Sequence, residues 1–167
     1  MASTNREVSA ESELRGALAD AEPRLSALSE QDVSRVPAPG KWSAKQELGH
    51  LIDSASNNHQ RFVRAQFTDD LVFPGYRQEE WVAAQRYQDA PWPELVRLWH
   101  SFNLHLARVI AAIPPSVREK RRSRHNLNDL AWRPVPAEEP TTLEYFMKDY
   151  VAHLKHHLAQ ILQRCPP

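Results

Sequence analysis

The chain has 167 residues, 41% of them hydrophobic, with 21 Lys+Arg balanced by 21 Asp+Glu. That balance offers nucleic acid no basic field, and with a pI of about 7.1 and no recognition-helix pattern it excludes DNA binding. Cys165, the one cysteine, precludes an internal disulfide and fits a reducing cytoplasm. With no h-region near the start and no window approaching ~18 apolar residues, neither a signal peptide nor a membrane span is expected.

Four glycines and few β-branched runs argue against a sheet and for an all-α chain. The first helix is predicted from about Ser9 to Ser29, amphipathic through Leu14, Leu18, Leu25 and Leu28, with Pro23 threatening a kink. Val36-Pro-Ala-Pro-Gly-Lys41 then breaks the chain. Ser43-Ala-Lys-Gln46 has the capping-box form and opens a second helix running to about Phe67. A third begins near Pro93 and ends before Pro114-Pro115. Its apolar residues Leu95, Leu98, Trp99, Phe102, Leu106, Val109, Ile110 and Ile113 keep the spacing of a core face. The fourth runs from Thr141 or Thr142 to about Gln163. Long connections remain over roughly Thr68–Trp92 and Pro114–Pro140. Together these predict one four-helix-bundle domain over residues 1–167, with its core at about 10–163 and with crossover loops. Loops of that length are usually functional.

The fourth helix carries His153-Leu-Lys-His156-His157. His153 and His157 lie one helical turn apart on one face, with ~5–6 Å between Cβ atoms, close enough for two imidazoles to reach one metal ion at ~2.0–2.1 Å. On a wheel with His153 at zero, Leu143, Met147, Leu154, Leu158 and Ile161 fall at about 80–140° and His157 at about 40°. His153 sits at the edge of that arc. His156, at about −60°, lies outside it and is excluded as a ligand. Gln160 at about −20° and Tyr150 at about 60° are close enough to contact a substrate. A half-buried histidine is also commonly a hydrogen-bonded core residue, so the pair alone leaves both interpretations open.

On the second helix His50 faces away from the apolar arc of Leu48, Leu51, Ile52, Ala55 and Phe62 and lies alongside Ser54, Asn57, Asn58 and Arg61. Such a stripe is either solvent-exposed or lines a pocket, and periodicity leaves this open. His59 falls within the apolar arc and is expected to be a satisfied core histidine.

Two blocks resemble the DinB-like, YfiT-type superfamily: Trp42-Ser-Ala-Lys-Gln-Glu-Leu-Gly-His50-Leu-Ile-Asp53, and Asp149-Tyr-Val-Ala-His153-Leu-Lys-His156-His157-Leu-Ala-Gln-Ile161. The similarity extends over roughly residues 10–163 and includes Glu80-Trp81 and Arg86-Tyr87 in the middle loop. It implies an up-down-down-up four-helix bundle, often a homodimer, with one divalent metal held by His50, His153 and His157. Zinc and nickel both suit imidazole ligands. Three protein ligands leave a position open to water or substrate, as in catalytic sites. Similar proteins include S-transferases and isomerases using bacillithiol or mycothiol, and metal-dependent hydrolases.

The expectation is therefore an enzyme acting on a small molecule by hydrolysis or by transfer of a low-molecular-weight thiol, with Asn57, Asn58, Arg61, Tyr150 and Gln160 orienting the substrate. No catalytic base is identified, and no nucleophile elbow, P-loop or dinucleotide fingerprint is present. A non-catalytic metal-binding stress protein and a bare structural bundle are the alternatives. Three features stay open. The basic run Arg118–Arg124 is either a solvated loop or a lure for an anionic substrate, His125 could serve as an acid/base group, and the aromatics of Phe73–Trp81 either wall the pocket or simply pack.

Overall fold

The structure, a computed structural model, describes residues 8–165. Four long helices carry it: α1 (Ala10–Ser26), α3 (Ala44–Arg64), α5 (Trp92–Ala112) and α8 (Leu143–Arg164). The short helices α2 (Glu30–Ser34), α4 (Gln78–Ala84), α6 (Pro115–Arg118) and α7 (Leu127–Leu130) sit in the connections, with a 3₁₀ turn at Tyr87–Asp89. Among the described residues the only β pairing is two isolated bridges.

Local chemistry accounts for the helix starts. Ser9, Ser43 and Thr142 each accept a backbone N–H of the first turn, and Ser43 with Gln46 completes the expected capping box. The first helix is shorter than its pattern predicts. It runs through Pro23 and stops at Ser26, because Ser29 caps a new helix by accepting the Asp32 N–H. The second ends at Arg64 rather than Phe67, and Phe67 is 83% exposed. Leu98, assigned above to the core face of the third helix, is half-exposed, whereas Trp99, Leu106 and Ile110 are buried as predicted.

Cross-links at one end of the bundle set the helix directions. Trp92, opening α5, donates its indole N–H to the Leu25 carbonyl at the end of α1 (2.7 Å) and its backbone N–H to Glu30 (3.1 Å). Lys45, opening α3, pairs with the same Glu30. Arg164, ending α8, donates to the carbonyl of Trp42 just before α3 (3.2 Å). The end of α1, the starts of α3 and α5 and the end of α8 thus meet at one level, which is the up-down-down-up arrangement. Parallel α3 and α5 require the long crossover between them. The antiparallel pairing of α3 with α8 has a direct consequence for the site: His50, about two turns into α3, and His157, about two turns before the end of α8, arrive at the same height.

The two crossovers lock to each other over the bundle. Leu71 N–H donates to Arg124 O (3.0 Å) and Asn126 N–H to Leu71 O (3.2 Å). The Asn126 side chain takes both backbone groups of Phe73, accepting its N–H at 3.1 Å and donating to its carbonyl at 2.8 Å. Gly49 permits a close approach on the other side: a Cβ there would lie 2.1 Å from the Tyr87 ring. With Tyr87 seated against α3, its hydroxyl donates to Asp53 Oδ1 (2.7 Å).

Candidate metal centre

His50 on α3 and His153 and His157 on α8 bring their ligand nitrogens within 4.8 Å of one another. His50 Nε2 and His153 Nε2 lie 3.3 Å apart. Two nitrogens held at ~2.0–2.1 Å from one ion at a tetrahedral angle are separated by about 3.3–3.4 Å, so the spacing fits a shared metal. The polar stripe of α3 therefore faces a pocket, with His50 only 1% exposed. His156 lies outside the ligand cluster: it is exposed, accepts from the Gln160 amide N–H (3.0 Å) and its ring lies against Trp132.

The state of the rings suits metal binding. Burial pulls the His50 pKa down to about 4, with repulsion from His157 adding to it. Burial first, then His157 and His50, pull His153 down to about 3, and burial lowers His157 as well. All three are thus neutral at pH 7, with lone pairs available without loss of a proton. Among the described residues the buried His50 Nδ1 has no hydrogen-bond partner, and Trp42 lies against the ring at 5.1 Å between centroids. His157 Nδ1 donates to Glu47 Oε1 (2.9 Å), which turns its Nε2 toward the other two rings. Glu47 is buried and its other oxygen pairs with Arg164. Carboxylate, imidazole and ligand face form the arrangement that orients histidines at metals.

Acid should expose this burial as a loss of stability. Unfolded histidine takes up a proton near pH 6.5, whereas folded His50 and His153 do so at about 4 and about 3. Between these values the unfolded chain binds more protons, so stability rises with pH there and falls as pH drops through the window. Metal-free protein is expected to lose up to ~1.4 kcal/mol per pH unit per histidine below pH 6.5. Urea unfolding from about pH 7.5 to about pH 5 checks this. A wild-type loss no steeper than that of His153→Ala would contradict it.

His153 and His157 open into a cavity of about 610 Å³. Of the expected substrate contacts, Asn58, Arg61 and Tyr150 line it. The Tyr150 hydroxyl is committed to Asn103 Oδ1, and burial raises its pKa, so it stays a neutral phenol. Asn57 is not brought there: its amide donates to the Asp53 carbonyl (2.9 Å) and it lines a neighbouring cleft. Gln160 is exposed on the outer face beside His156, one helix face away from the cavity.

The basic run is structural. Lys120 pairs with Asp69 (2.6 Å), Arg118 with Glu144 (3.6 Å), and Arg122 is buried with its guanidinium on the carbonyls of Val117, Lys120 and Ala65. His125 is buried, donating from Nε2 to Glu139 O (2.8 Å) and accepting the Leu127 N–H at Nδ1 (3.2 Å), outside the cavity. His59 is half-buried against Phe102 and His105. From the aromatic segment Tyr76 reaches the cavity, while Phe73 stacks in the core on Phe146.

Residues outside the expected set complete the wall. Trp132, from the second crossover, stands over His153 with ring centroids 6.2 Å apart. It is held by Asp149, whose two oxygens accept the N–H groups of Trp132 and Arg133, each at 2.8 Å. Asp149 stood in the quoted C-terminal block and Glu47 in the first, one turn before His50. Nothing in the sequence marks Trp132.

A family model described as the DinB superfamily matches residues 13–161. A comparison with curated proteins finds no match. Among solved structures the chain is similar to YfiT from Bacillus subtilis, described as a probable metal-dependent hydrolase with an unusual four-helix bundle topology. The TM-score is 0.75 at 17% identity, over 98% of this chain and 91% of that one. With the family match spanning most of its length, the chain belongs to the DinB superfamily.

Proposed function

We propose that this protein is a metal-dependent enzyme in which His50, His153 and His157 hold one zinc or nickel ion, and that it hydrolyses a small molecule or transfers a low-molecular-weight thiol to one. The observation that carries this reading is the opening of the triad into the cavity on the side of His153 and His157. A structural site would be closed. The ion would supply Lewis acidity sufficient to activate water or a thiol at neutral pH. Trp132 stands against His153 on one side of the cavity, and Ser54 and Asn58 offer hydrogen bonds to a bound molecule.

The available acids bear on the choice of reaction. Asp149 has both oxygens on backbone N–H groups, and Glu47 has both on His157 and Arg164. Neither is free to act as a base, and the other carboxylate lining the cavity, Asp129, is exposed at its rim; this favours thiol transfer, where the nucleophile is acidic already. The same observation is what a non-catalytic metal-binding protein would show.

The test is a rate. Metal-loaded protein is assayed with an activated ester and, separately, with mycothiol, bacillithiol or glutathione against an aryl halide. A turnover that falls at least ~100-fold in His153→Ala, vanishes with chelator and returns with metal is expected in one arm. Equal rates for the wild type and His153→Ala in every arm would leave a metal-binding protein without catalysis.

A further inference from the structure

We infer that the cavity recognises its ligand by an oxyanion (a carboxylate or an equivalent acid group) bound at Arg61, three turns along α3 from the histidine triad. This rests on the cavity being the substrate site. Arg61 is only 6% exposed, yet it lines the cavity. Its hydrogen-bond partners are both neutral: Nη2 donates to Pro74 O (3.0 Å) and Nη1 to Asn58 Oδ1 (3.4 Å). A guanidinium carries five N–H donors, so these two bonds leave three over. Among the described residues no carboxylate pairs with it.

Other buried cations are accounted for differently. Lys45 pairs with Glu30, and Arg122 donates to three carbonyls and does not line the cavity. Burying a guanidinium without an anion is costly, and Arg61 remains charged at neutral pH even though burial lowers its pKa. Such a group, facing a space large enough for a small molecule, is half of an ion pair whose other half arrives with the ligand.

The surroundings leave that charge uncancelled. Asp149 spends both oxygens on the N–H groups of Trp132 and Arg133, and Asp129 is exposed at the rim. Burial keeps the phenol of Tyr76, beside Arg61, neutral, leaving it to donate. The geometry also directs the ligand. Helical side chains lean toward the N-terminus, and the Arg61–Asn58 bond runs that way, toward His50. His50 and Arg61 are separated by 11 residues, a rise of about 16 Å, which the long Arg61 side chain shortens from its end. Ser54 and Asn58 lie between them on the same face. The ligand class is therefore a small molecule with its acid group at one end and its reactive bond at the other.

Benzenesulfonate is the probe, because a sulfonate is permanently anionic and a poor metal ligand; phenyl methyl sulfone is its neutral match. Both are titrated at constant ionic strength into the protein as purified and after metal loading, following the Arg61 Nε–Hε cross-peak. Benzenesulfonate is expected to move that peak saturably, the sulfone to leave it in place, and Arg61→Gln to bind benzenesulfonate at least tenfold more weakly. Arg61→Lys, which keeps the charge, should fall between. Metal content is read on each protein. Benzenesulfonate that leaves the wild-type peak unmoved, or binds the wild type and a folded Arg61→Gln alike, would overturn the proposal whatever the metal content. Arg61-dependent binding to protein that takes up no metal would uphold the anion site while removing the metal-enzyme reading.

Discussion

Replacing His153 or His157 with alanine is expected to reduce metal binding from about one equivalent of zinc or nickel to a small fraction of that, since two ligands cannot hold the ion as three do. The effect should be as large on stability. A ligand that binds only the native state adds ~2.7–4.1 kcal/mol at 100 to 1,000 times its Kd. At ~2–4 °C per kcal/mol for a chain of this size, that is a rise in Tm of roughly 5–16 °C. Wild-type protein should show this rise on metal addition and lose it with chelator. The variants should show neither, and their Tm should lie near that of chelated wild type. His50→Ala should behave alike, although a cavity left at a side chain 1% exposed adds a packing cost. Element analysis and thermal scans of the four proteins decide it. Wild type that contains no metal, takes none up and melts at the same temperature throughout would mean that the three rings are merely packed together.

Glu47→Ala should weaken metal binding without touching a ligand. The Glu47 carboxylate holds His157 by its Nδ1–H and so fixes which nitrogen faces the cavity. Loss of such a partner typically costs 10- to 100-fold in metal affinity. The same substitution strips Arg164 of its ion pair. Because that side chain is 34% exposed, water replaces part of the interaction, and a stability loss of about 1–3 kcal/mol is expected. Glu47→Gln can still accept from His157 through its amide oxygen and should recover most of the metal affinity but not the ion pair. Competition with a chromophoric chelator measures the first effect and urea unfolding the second. A Glu47→Ala protein that is less stable yet binds metal as tightly as the wild type would confine Glu47 to tethering the end of α8.

Legibility in the sequence followed the range of the interactions concerned. Ser43 with Gln46, and Thr142, announced helix starts because capping joins residues a few positions apart. Ser29 carries the same kind of signal, but the leucine pattern continues to Leu28, just short of it, and so predicts the first helix too long. On α8 the period alone separated His153 and His157 from His156. The period also put Gln160 near the ligand face, yet it sits outside with His156. A wheel gives direction to within a few tens of degrees, and the edge of a face is where that tolerance matters.

The amino-acid order by itself determined the all-helical class, the helix starts, the turn that excludes His156 and, through the two motif blocks, the family. Only the tertiary structure decided what His50 faces. The stripe of His50, Ser54, Asn58 and Arg61 has the same periodicity whether water or α8 covers it, and antiparallel packing of α8 against α3 covers it at the height of His50. Tertiary structure likewise assigned the basic run to loop anchoring, left Asn57 outside the cavity and brought Trp132 over His153. Periodicity reports which side chains share a face of one helix. What closes that face comes from segments dozens of residues away, and no local pattern encodes their approach.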